Sequence, residues 1–552
     1  MLLLLCAVIF TIGCFQSEAA AVKSAPQFAD NFFVKGLLIL PYAEINEPFK
    51  AFYDKRNGRS RIDYYGEIVQ TYQLAVDGEF GSSYKVAYMP DETGLPTQTC
   101  FQVNGTKDNP VSIQSILPDL TNFNYERDAP CFQENPIVWD DPRQGQMCEL
   151  WVQKNTVEDK TNKYSMYLDK KTGAPVHYIM KGYNTLLGSH YDKYELYYVN
   201  YTVNNVTDGD FDINSRMQCT NFPGPGVEEL VLNNPMREFI NNEDGHIHRS
   251  FDDFKTKHEK TYKDNNEQES RKNIYRQNYR YIQSMNRKGL TYSLEVNHLA
   301  DYTDMELHRI RGRLPSQGYN GGQPFPKEKF PTDLPENLDW RLYGVVTPVK
   351  DQAVCGSCWS FGTTGTIEGT YAIKTNKLVR LSQQQLIDCS WRFQNNGCDG
   401  GEDFRAYAYI MAAGGLAAEE DYGQYLGSDG LCHDHEVDKV AQISGFVNVT
   451  SGDLQALKQA IAKQGPISVS IDAAHKSFSF YSHGVFYEPD CKNGEDQLDH
   501  SVLAVGYGVM NGHPYWLVKN SWSTYWGNDG YVLMSQKDNN CGVATSPTYV
   551  LM

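Results

Sequence analysis

Alternating large and polar side chains indicate β structure in the first part of the chain. Residues 197–204 read Tyr-Tyr-Val-Asn-Tyr-Thr-Val-Asn, and this period of two predicts a half-buried strand. Residues 163–180 predict two further strands, joined by a turn with Gly and Pro at 169–175. We therefore predict an antiparallel β domain over residues 21–235, ending in a stretch rich in Gly and Pro.

From Ser250 onward the spacing of apolar residues becomes helical. Ser250 and the two acids that follow it predict a helix start. Over residues 267–286, side chains recur at steps of three or four, at Ile274, Asn278, Ile282 and Met285. These features predict two amphipathic helices. Residues 312–324 are rich in Gly and polar side chains and predict an exposed, cleavable loop.

The first residues predict a targeting segment. An apolar run ends near Gln16 and small residues follow at 19–21, which is typical of a signal peptide over residues 1–20; a buried N-terminal strand or helix is the alternative. The run is too short to span a bilayer, and no later stretch reaches about 18 apolar residues. We expect passage through the secretory pathway to a lysosomal, endosomal or extracellular destination. Four N-glycosylation sequons agree with this: Asn104, Asn200, Asn205 and Asn448.

Composition excludes several classes of protein. The 552 residues predict roughly three to four domains. With 41% hydrophobic and 21% charged residues, the chain is neither disordered nor fibrous. A net charge of −18 without a block of Lys or Arg argues against a nucleic-acid partner.

Cysteines agree with an oxidising compartment. Without Cys6 and Cys14 in the signal peptide, an odd number remains, so at least one thiol is unpaired or bridges to another chain. Four cysteines lie in the predicted β domain and could close two disulfides in any of three pairings: Cys100, Cys131, Cys148 and Cys219.

The last part of the chain carries the recognisable chemistry. Cys358 opens a predicted helix, where the macrodipole and free N–H groups lower the pKa of a thiol. His500 heads one predicted strand, and Asn520 follows another. A cysteine nucleophile, a histidine base and an amide that orients the imidazole are the three roles that acyl transfer needs.

Residues 334–552 contain four motifs in order: Cys355-Gly-Ser-Cys358-Trp-Ser-Phe361, Gly397-Cys-Asp-Gly-Gly401, Asp499-His500 and Asn520-Ser-Trp522. This series gives the segment its resemblance to a papain-family cysteine peptidase of the cathepsin L-like branch. It implies an α+β fold with a helical lobe and a β-barrel-like lobe. Cys358 would attack the peptide carbonyl, His500 would transfer the proton, and Asn520 would orient the imidazole beneath Trp522. The side chain of Gln352 and the N–H of Cys358 would stabilise the oxyanion.

The same resemblance assigns the remaining cysteines and a substrate cleft. It pairs Cys355 with Cys398, Cys389 with Cys432 and Cys491 with Cys541, which leaves Cys358 as the free thiol. Gly400 and Gly401 would lie along the substrate backbone. The second subsite would accept an apolar residue and tolerate a basic one, and its predicted lining is Glu402, Asp403, Ser470, Leu498 and Ser546. Too few residues separate Cys355 from Cys398 for the long loop of dipeptide-releasing relatives, which favours an endopeptidase.

Residues 245–333 resemble a cathepsin L-like inhibitory propeptide with its activation linker. The matching positions are Glu267, Arg271, Tyr275, Asn278, Ile282, Asn286 and residues 297–301. The resemblance implies a segment that runs backwards through the cleft and is released in acid, as carboxylates in its interface become protonated. We expect protein and peptide substrates as partners, together with the propeptide itself, and neither a cofactor nor a metal.

The β-rich extension is not part of an ordinary member of this family. The overall layout is similar to that of secreted insect haemocyte cysteine proteinases, in which a cleaved N-terminal chain could be retained. Two other functions stay open: a secreted binding protein without activity, and an acyl-transferring enzyme of the transglutaminase type. Cys355 and Cys358 could also form a redox dithiol or half a zinc site.

Overall fold

The computed structural model describes residues 23–90, 96–132, 143–213, 217–221, 234–327 and 333–552. The predicted signal peptide at 1–20 and most of the predicted boundary at 221–235 lie outside these residues.

The N-terminal region folds as one long antiparallel sheet. Its strands follow the order β12-β6-β5-β4-β3-β2-β1-β11-β10-β9-β8-β7, and of these pairings only that of β12 with β6 is parallel. The strand bounds are β1 (Asn31–Leu40), β2 (Ile45–Asp54), β3 (Arg59–Tyr64), β4 (Val69–Leu74), β5 (Ser82–Pro90), β6 (Pro96–Asn104), β7 (Asn124–Pro130), β8 (Met147–Val157), β9 (Lys160–Asp169), β10 (Pro175–Asn184), β11 (Ser189–Val203) and β12 (Cys219–Asn221).

Local turn chemistry explains why consecutive strands pair. In the turn between β9 and β10, Oδ1 of Asp169 accepts hydrogen bonds from the N–H groups of Lys171 and Thr172. Gly173 then adopts φ +70°, a left-handed conformation that glycine reaches without steric strain because it has no Cβ. The predicted hairpin is therefore confirmed.

The strand predicted over 197–204 is confirmed as the end of β11, but its predicted alternating burial is wrong. Residues 194–198 are buried on both faces, whereas residues 199 and 200 are both exposed. Tyr194 packs edge-on against Phe239, from the helices that follow the sheet. Tyr197 stacks on His177 on the opposite face. A period of two cannot reveal that both faces are covered.

Two disulfides close the N-terminal sheet. Cys100 pairs with Cys219, which fixes β12 to β6, and Cys131 pairs with Cys148. Of the three pairings that the sequence allows, the structure contains this one.

Among the residues that the structure describes, four α-helices lie between the sheet and the C-terminal domain. They are α1 (Met236–Ile240), α2 (Gly245–Lys257), α3 (Asn265–Asn286) and α4 (Asp304–Arg309). The predicted second helix corresponds to α3, whose start is capped by Asp264. The predicted start at Ser250 is wrong, because α2 begins at Gly245 and the Ser250 hydroxyl bonds the hydroxyl of Tyr275 on α3 instead.

The C-terminal domain has a helical lobe and a β lobe. The helices of this domain are α5 (Cys358–Thr375), α6 (Gln383–Cys389), α7 (Asp403–Ala412), α8 (Glu419–Tyr422), α9 (Leu454–Gln464) and α10 (Lys476–Ser479). The second sheet contains β13 (Tyr292–Leu294), β14 (Gln323–Pro324), β15 (Leu338–Asp339), β16 (Gly445–Asn448), β17 (Ile467–Ile471), β18 (Tyr481–Phe486), β19 (His500–Met510), β20 (His513–Lys519), β21 (Tyr531–Ser535) and β22 (Thr548–Leu551).

The segment between the two domains contributes strands to the second sheet. β13 pairs antiparallel with β18, and β14 pairs parallel with β16. Residues 292–324 therefore run along the C-terminal domain between these two edges. Among the described residues no helix is long and apolar enough to cross a membrane.

Candidate active site

Helix α5 places Cys358 at the junction of the two lobes. Three glycines on α5 let the helix approach the second sheet closely, because a Cβ at Gly365 would lie 2.6 Å from Leu503 and one at Gly369 would lie 2.5 Å from Pro466. Glycine inside a helix costs about 1 kcal/mol relative to Ala. Here the close approach fixes the first residue of α5, Cys358, against the start of β19.

Two neighbouring strands bring His500 and Asn520 together. His500 is the first residue of β19, and Asn520 directly follows β20, which pairs antiparallel with β19. Nε2 of His500 lies 2.8 Å from Oδ1 of Asn520. The ring of Trp522 lies over the imidazole with 4.7 Å between centroids. Nδ1 of His500 is buried and finds no hydrogen-bond partner among the residues that the structure describes.

The backbone of the segment after α4 covers the thiol. The N–H of Gly312 donates to Sγ of Cys358 at 3.2 Å, and the N–H of Ser501 does so at 3.5 Å. A Cβ at position 312 would lie 1.8 Å from the carbonyl oxygen of Gly356, so only glycine fits there. The first part of the predicted exposed loop is thus wrong, because Gly312 and Arg313 are buried in the cleft, whereas residues 317–319 are exposed.

The same segment pairs with the glycines predicted to line the substrate backbone. The N–H of Gly401 donates to the Gly312 carbonyl at 2.9 Å, and the N–H of Leu314 donates to the Gly401 carbonyl at 3.1 Å. The resulting bridge is parallel. At Gly400 a Cβ would lie 2.8 Å from the Gly312 oxygen, so this residue also allows a close backbone approach.

Gln352 is engaged by the covering segment. Its Nε2 donates to the carbonyl of Ile310 at 2.9 Å, and its Oε1 accepts from the Ser521 hydroxyl at 2.7 Å. The Gln352 side-chain amide, which the sequence predicts to stabilise an oxyanion, therefore bonds a backbone carbonyl while the covering segment is in place.

Arg313 fills the pocket predicted as the second subsite. Its guanidinium donates to the carbonyl of Leu498 at 2.9 Å and lies 3.5 Å from the carboxylate of Glu402. Ser316 also bonds Glu402, through its hydroxyl at 2.6 Å. No sequence motif predicted this contact of Arg313, since it depends on a fold that brings residues 313, 402 and 498 together.

The other predicted pocket residues make no such contact. Asp403 accepts from the hydroxyl of Thr548 at 2.5 Å. Ser470 lies on β17, one residue from the pairing partner of His500, and Ser546 precedes β22. Among the described residues no hydrogen bond joins Asp403, Ser470 or Ser546 to residues 310–316.

Burial sets the protonation states of the covered pair. It raises the pKa of the Cys358 thiol to about 11, against the effect of the N–H groups of Ser501 and Gly312. Burial likewise lowers the pKa of His500 to about 4, although Asn520 opposes this shift. Near neutral pH both groups are therefore uncharged while the segment is in place.

The disulfides of this domain surround the thiol without including it. The structure contains Cys355–Cys398, Cys389–Cys432 and Cys491–Cys541, the pairs that the resemblance implies. Cys358 is the free cysteine of the described residues. Since Cys355 is bridged to Cys398, the redox-dithiol interpretation of Cys355 and Cys358 is not supported.

The four predicted glycosylation sites differ in environment. Asn104, Asn200 and Asn205 are exposed on the N-terminal sheet and the loop after it. Asn448 is half-buried, and its amide exchanges hydrogen bonds of 2.7 and 3.0 Å with that of Asn320.

The fold, the covered thiol of Cys358 and the pair of His500 with Asn520 together define a cysteine peptidase with its inhibitory propeptide in the cleft. Residues 334–551 match the papain family cysteine protease, and residues 251–307 match the cathepsin propeptide inhibitor domain. The chain belongs to the papain family.

The relatives are cathepsin L-like. The chain is 44% identical to digestive cysteine proteinase 2 of Homarus americanus over 309 residues, covering 55% of this chain and 94% of that protein. It is 43% identical to cathepsin L2 of Homo sapiens over 295 residues, covering 51% of this chain and 86% of that protein. A digestive procathepsin L 3 structure from Tenebrio molitor larval midgut superposes with a TM-score of 0.51 at 37% identity, covering 55% of this chain and 99% of that one.

Proposed function

We propose that this protein is the acid-activated precursor of a cysteine endopeptidase of the secretory pathway. The observation that carries the proposal is the Gly312 backbone lying on Sγ of Cys358, beside the His500–Asn520 pair. A lysosomal, endosomal or extracellular location suits a chain with this many disulfides. The proposed division is a signal peptide at 1–20, a β domain at 21–235, the propeptide and linker at 245–333, and the peptidase at 334–552.

The proposed reaction is acyl transfer from a peptide to water. The Cys358 thiolate attacks the scissile carbonyl carbon, and the Gln352 side chain with the Cys358 N–H stabilises the oxyanion. Protonated His500 then gives its proton to the leaving amine. Water attacks the resulting thioester, His500 accepts a proton from it, and the acid product leaves with the thiol regenerated. Asn520 and Trp522 hold the imidazole in position.

Departure of the propeptide would activate the pair. Water then reaches a site in which burial had kept both groups neutral, and the α5 N-terminus favours the thiolate. Nδ1 of His500 lacks a partner in the covered state and would become available to the thiol.

Two histidines at the interface supply a reason for acid release. His258 and His298 of the propeptide lie against the Tyr525 ring of the peptidase, at centroid distances of 4.9 and 6.2 Å. Burial is the main cause that lowers the pKa of His258 to about 4 and the pKa of His298 to about 3. Nearby lysines lower the pKa of His258 further, and Lys260 lowers that of His298. Protonation therefore favours the open state, and the closed state weakens as the pH falls below about 6.5, the usual histidine value.

The path of the propeptide supports an endopeptidase. Ile310 bonds Gln352 on one side of Cys358, and Ser316 bonds Glu402 on the other. A chain can thus enter and leave the cleft without ending in it. The proposed substrates are proteins and peptides, and Arg313 beside Glu402 supports acceptance of a basic residue at the second subsite.

The test is to bring the purified precursor to a pH of about 4 to 5 with a thiol-directed epoxide peptide inhibitor. Mass spectrometry then maps the modified residue and the new N-termini. Stoichiometric labelling of Cys358, with an N-terminus near Leu334, is the expected result, and the same map shows whether residues 21–235 are retained as a separate chain. A folded, processed protein that takes no label would favour a binding protein without activity.

A further inference from the structure

Helix α3 of the propeptide has two different faces. Tyr275 on one face bonds Ser250 of α2, and Asn278 donates to the carbonyl of Ala300, so this face holds the propeptide together. The opposite face presents residues to the N-terminal sheet at steps of three or four: Gln277, Arg280, Ser284 and Arg287. A helix that is polar on this face would normally turn it to water.

Arg280 is held by a buried carboxylate of the sheet. Its two terminal nitrogens donate to the two oxygens of Asp192 on β11, at 2.7 and 2.9 Å. Its Nε donates to Glu238 of α1 at 2.7 Å. Asp192 is 1% exposed, and Arg276 lies 4.0 Å from it as a second cation from α3.

Arg287, the residue directly after α3, makes a similar contact with a second carboxylate of the sheet. It donates to both oxygens of Glu47 on β2, at 2.5 and 2.7 Å. Ser284 also donates to Glu47 at 2.7 Å, and the Tyr65 hydroxyl lies 2.6 Å from the Ser284 hydroxyl. Glu47 is fully buried.

Because of these contacts, the two buried carboxylates of the sheet depend on the propeptide for their charge partners. A buried carboxylate is strongly unfavourable unless a cation is paired with it. The cations that pair with Asp192 and Glu47 come from α3 and from the residue that directly follows it, and both belong to the propeptide. The N-terminal sheet thus carries a surface complementary to the arginine face of α3.

Direct contact between the N-terminal sheet and the peptidase is slight by comparison. Glu44, directly before β2, pairs with Lys476 of α10, and the Glu44 side chain is mostly exposed. Beside this ion pair, an open cavity of about 400 Å³ lies between the propeptide and the peptidase, lined in part by Tyr281, Lys288 and His475.

The propeptide connects this contact with the sheet to the segment that covers Cys358. Arg271 of α3 donates two hydrogen bonds to the carboxylate of Glu306 on α4, at 2.6 and 2.8 Å. Helix α4 ends at Arg309, three residues before Gly312. A fixed α3 therefore holds the start of the segment that covers Cys358.

We propose that the N-terminal β domain is part of the inhibitor: its surface around Asp192 and Glu47 binds the arginine face of α3 and keeps Gly312 on Cys358. The inhibitor of this precursor then extends from the first sheet to the activation linker, well beyond the segment that matches the inhibitor domain.

The test measures how often the thiol is uncovered in the full precursor at neutral pH. Cys358 is the free cysteine of the described residues, so its alkylation by iodoacetamide, followed by mass spectrometry, reports opening of the propeptide. The double variant Asp192→Asn, Glu47→Gln keeps the shapes of both side chains and removes their charges. We expect its labelling rate to rise about tenfold or more over that of the unmodified precursor.

Asp128→Asn is the matched control, because it removes an exposed carboxylate paired with Lys170 on the same sheet, at strand β7 rather than at α3. Equal labelling of the double variant and the unmodified precursor would overturn the proposal. Labelling needs no turnover, so this result is independent of whether the mature protein hydrolyses peptides.

A second form of the experiment keeps every contact residue, so it tests the proposal even if the double variant does not fold. A specific protease site placed between Asn221 and Asn234 separates the β domain from the propeptide. Co-elution of the two pieces in gel filtration supports the proposal. Pieces that separate while Cys358 stays as slowly labelled as before cleavage overturn it.

Discussion

The N–H of Gly312 points at Sγ of Cys358 across 3.2 Å, so this thiol is covered by a residue without a side chain. A Cβ there would meet the Gly356 carbonyl at 1.8 Å. The inhibitory contact is therefore made by backbone that passes through the cleft.

Replacing this glycine should loosen the propeptide. In Gly312→Val the new side chain cannot fit, and overpacking costs about 1 to 3 kcal/mol, which corresponds to roughly 5- to 150-fold more open precursor. The alkylation rate of Cys358 at neutral pH measures this directly. Gln317→Ala, at an exposed position of the same segment, should leave the rate unchanged. A slow rate in the valine variant would show that another contact holds the propeptide.

Removing an interfacial histidine should shift activation to lower pH. His258 and His298 have lowered pKa values in the closed state, so each takes up a proton on opening as the pH falls below its usual value. Asn in place of His298 removes one such proton, and we expect the midpoint of processing to fall by about half a pH unit. Gel analysis of precursor incubated across a pH series gives the midpoint. His513→Asn, at the exposed start of β20, serves as the control and should not move it.

Glu402 should determine acceptance of a basic residue at the second subsite. Glu402→Gln removes the charge that faces Arg313 in the precursor. A hydrogen bond to a charged group is worth about 1.5 to 3 kcal/mol, so kcat/KM for a substrate with Arg at that subsite should fall about tenfold or more. The matching substrate with Leu should change little. Glu495→Gln, which alters an exposed carboxylate near the same pocket, is the control. Equal losses for both substrates, or refusal of all apolar residues by the unmodified enzyme, would contradict this account of the pocket.

Glycan occupancy should differ between sequons. The Asn448 amide is bonded on both sides to Asn320, and a Cβ at Gly322 would lie 2.6 Å from its nitrogen. A glycan on that nitrogen would displace this contact, whereas Asn200 is exposed. Glycopeptide mass spectrometry of precursor produced in eukaryotic cells should find lower occupancy at Asn448 than at Asn200. Similar occupancy at both would show that β14 is not in place when the sugar is added.

Local signals allowed several elements to be predicted from the sequence. The Gly and Pro turn at 169–175 marks a hairpin, and the spacing over 267–286 marks α3 to within two residues at its start. These signals depend on neighbours along the chain. Papain-family motifs placed Cys358, His500 and Asn520, which the fold then brings together.

Features that depend on distant contacts could not be predicted in this way. Ser250 has the composition of a helix cap, yet its hydroxyl meets Tyr275 of another helix. The role of Arg313 requires Glu402 and Leu498, which are far from it in sequence. The sequence predicts that carboxylates drive acid release, and this stays a prediction. The burial of His258 and His298, whose Nδ1 atoms find no hydrogen-bond partner among the described residues, depends on the fold and could not be predicted.

The place of the first sheet in the chain also fixes the order in which the parts are synthesised. During translation, N-terminal domains emerge and fold first. The strands that carry Glu47 and Asp192 leave the ribosome before α3, and α3 leaves before Cys358. By the time Cys358 is translated, the surface proposed to hold α3 already exists, so on this proposal the newly made peptidase never has to fold in the absence of its inhibitor.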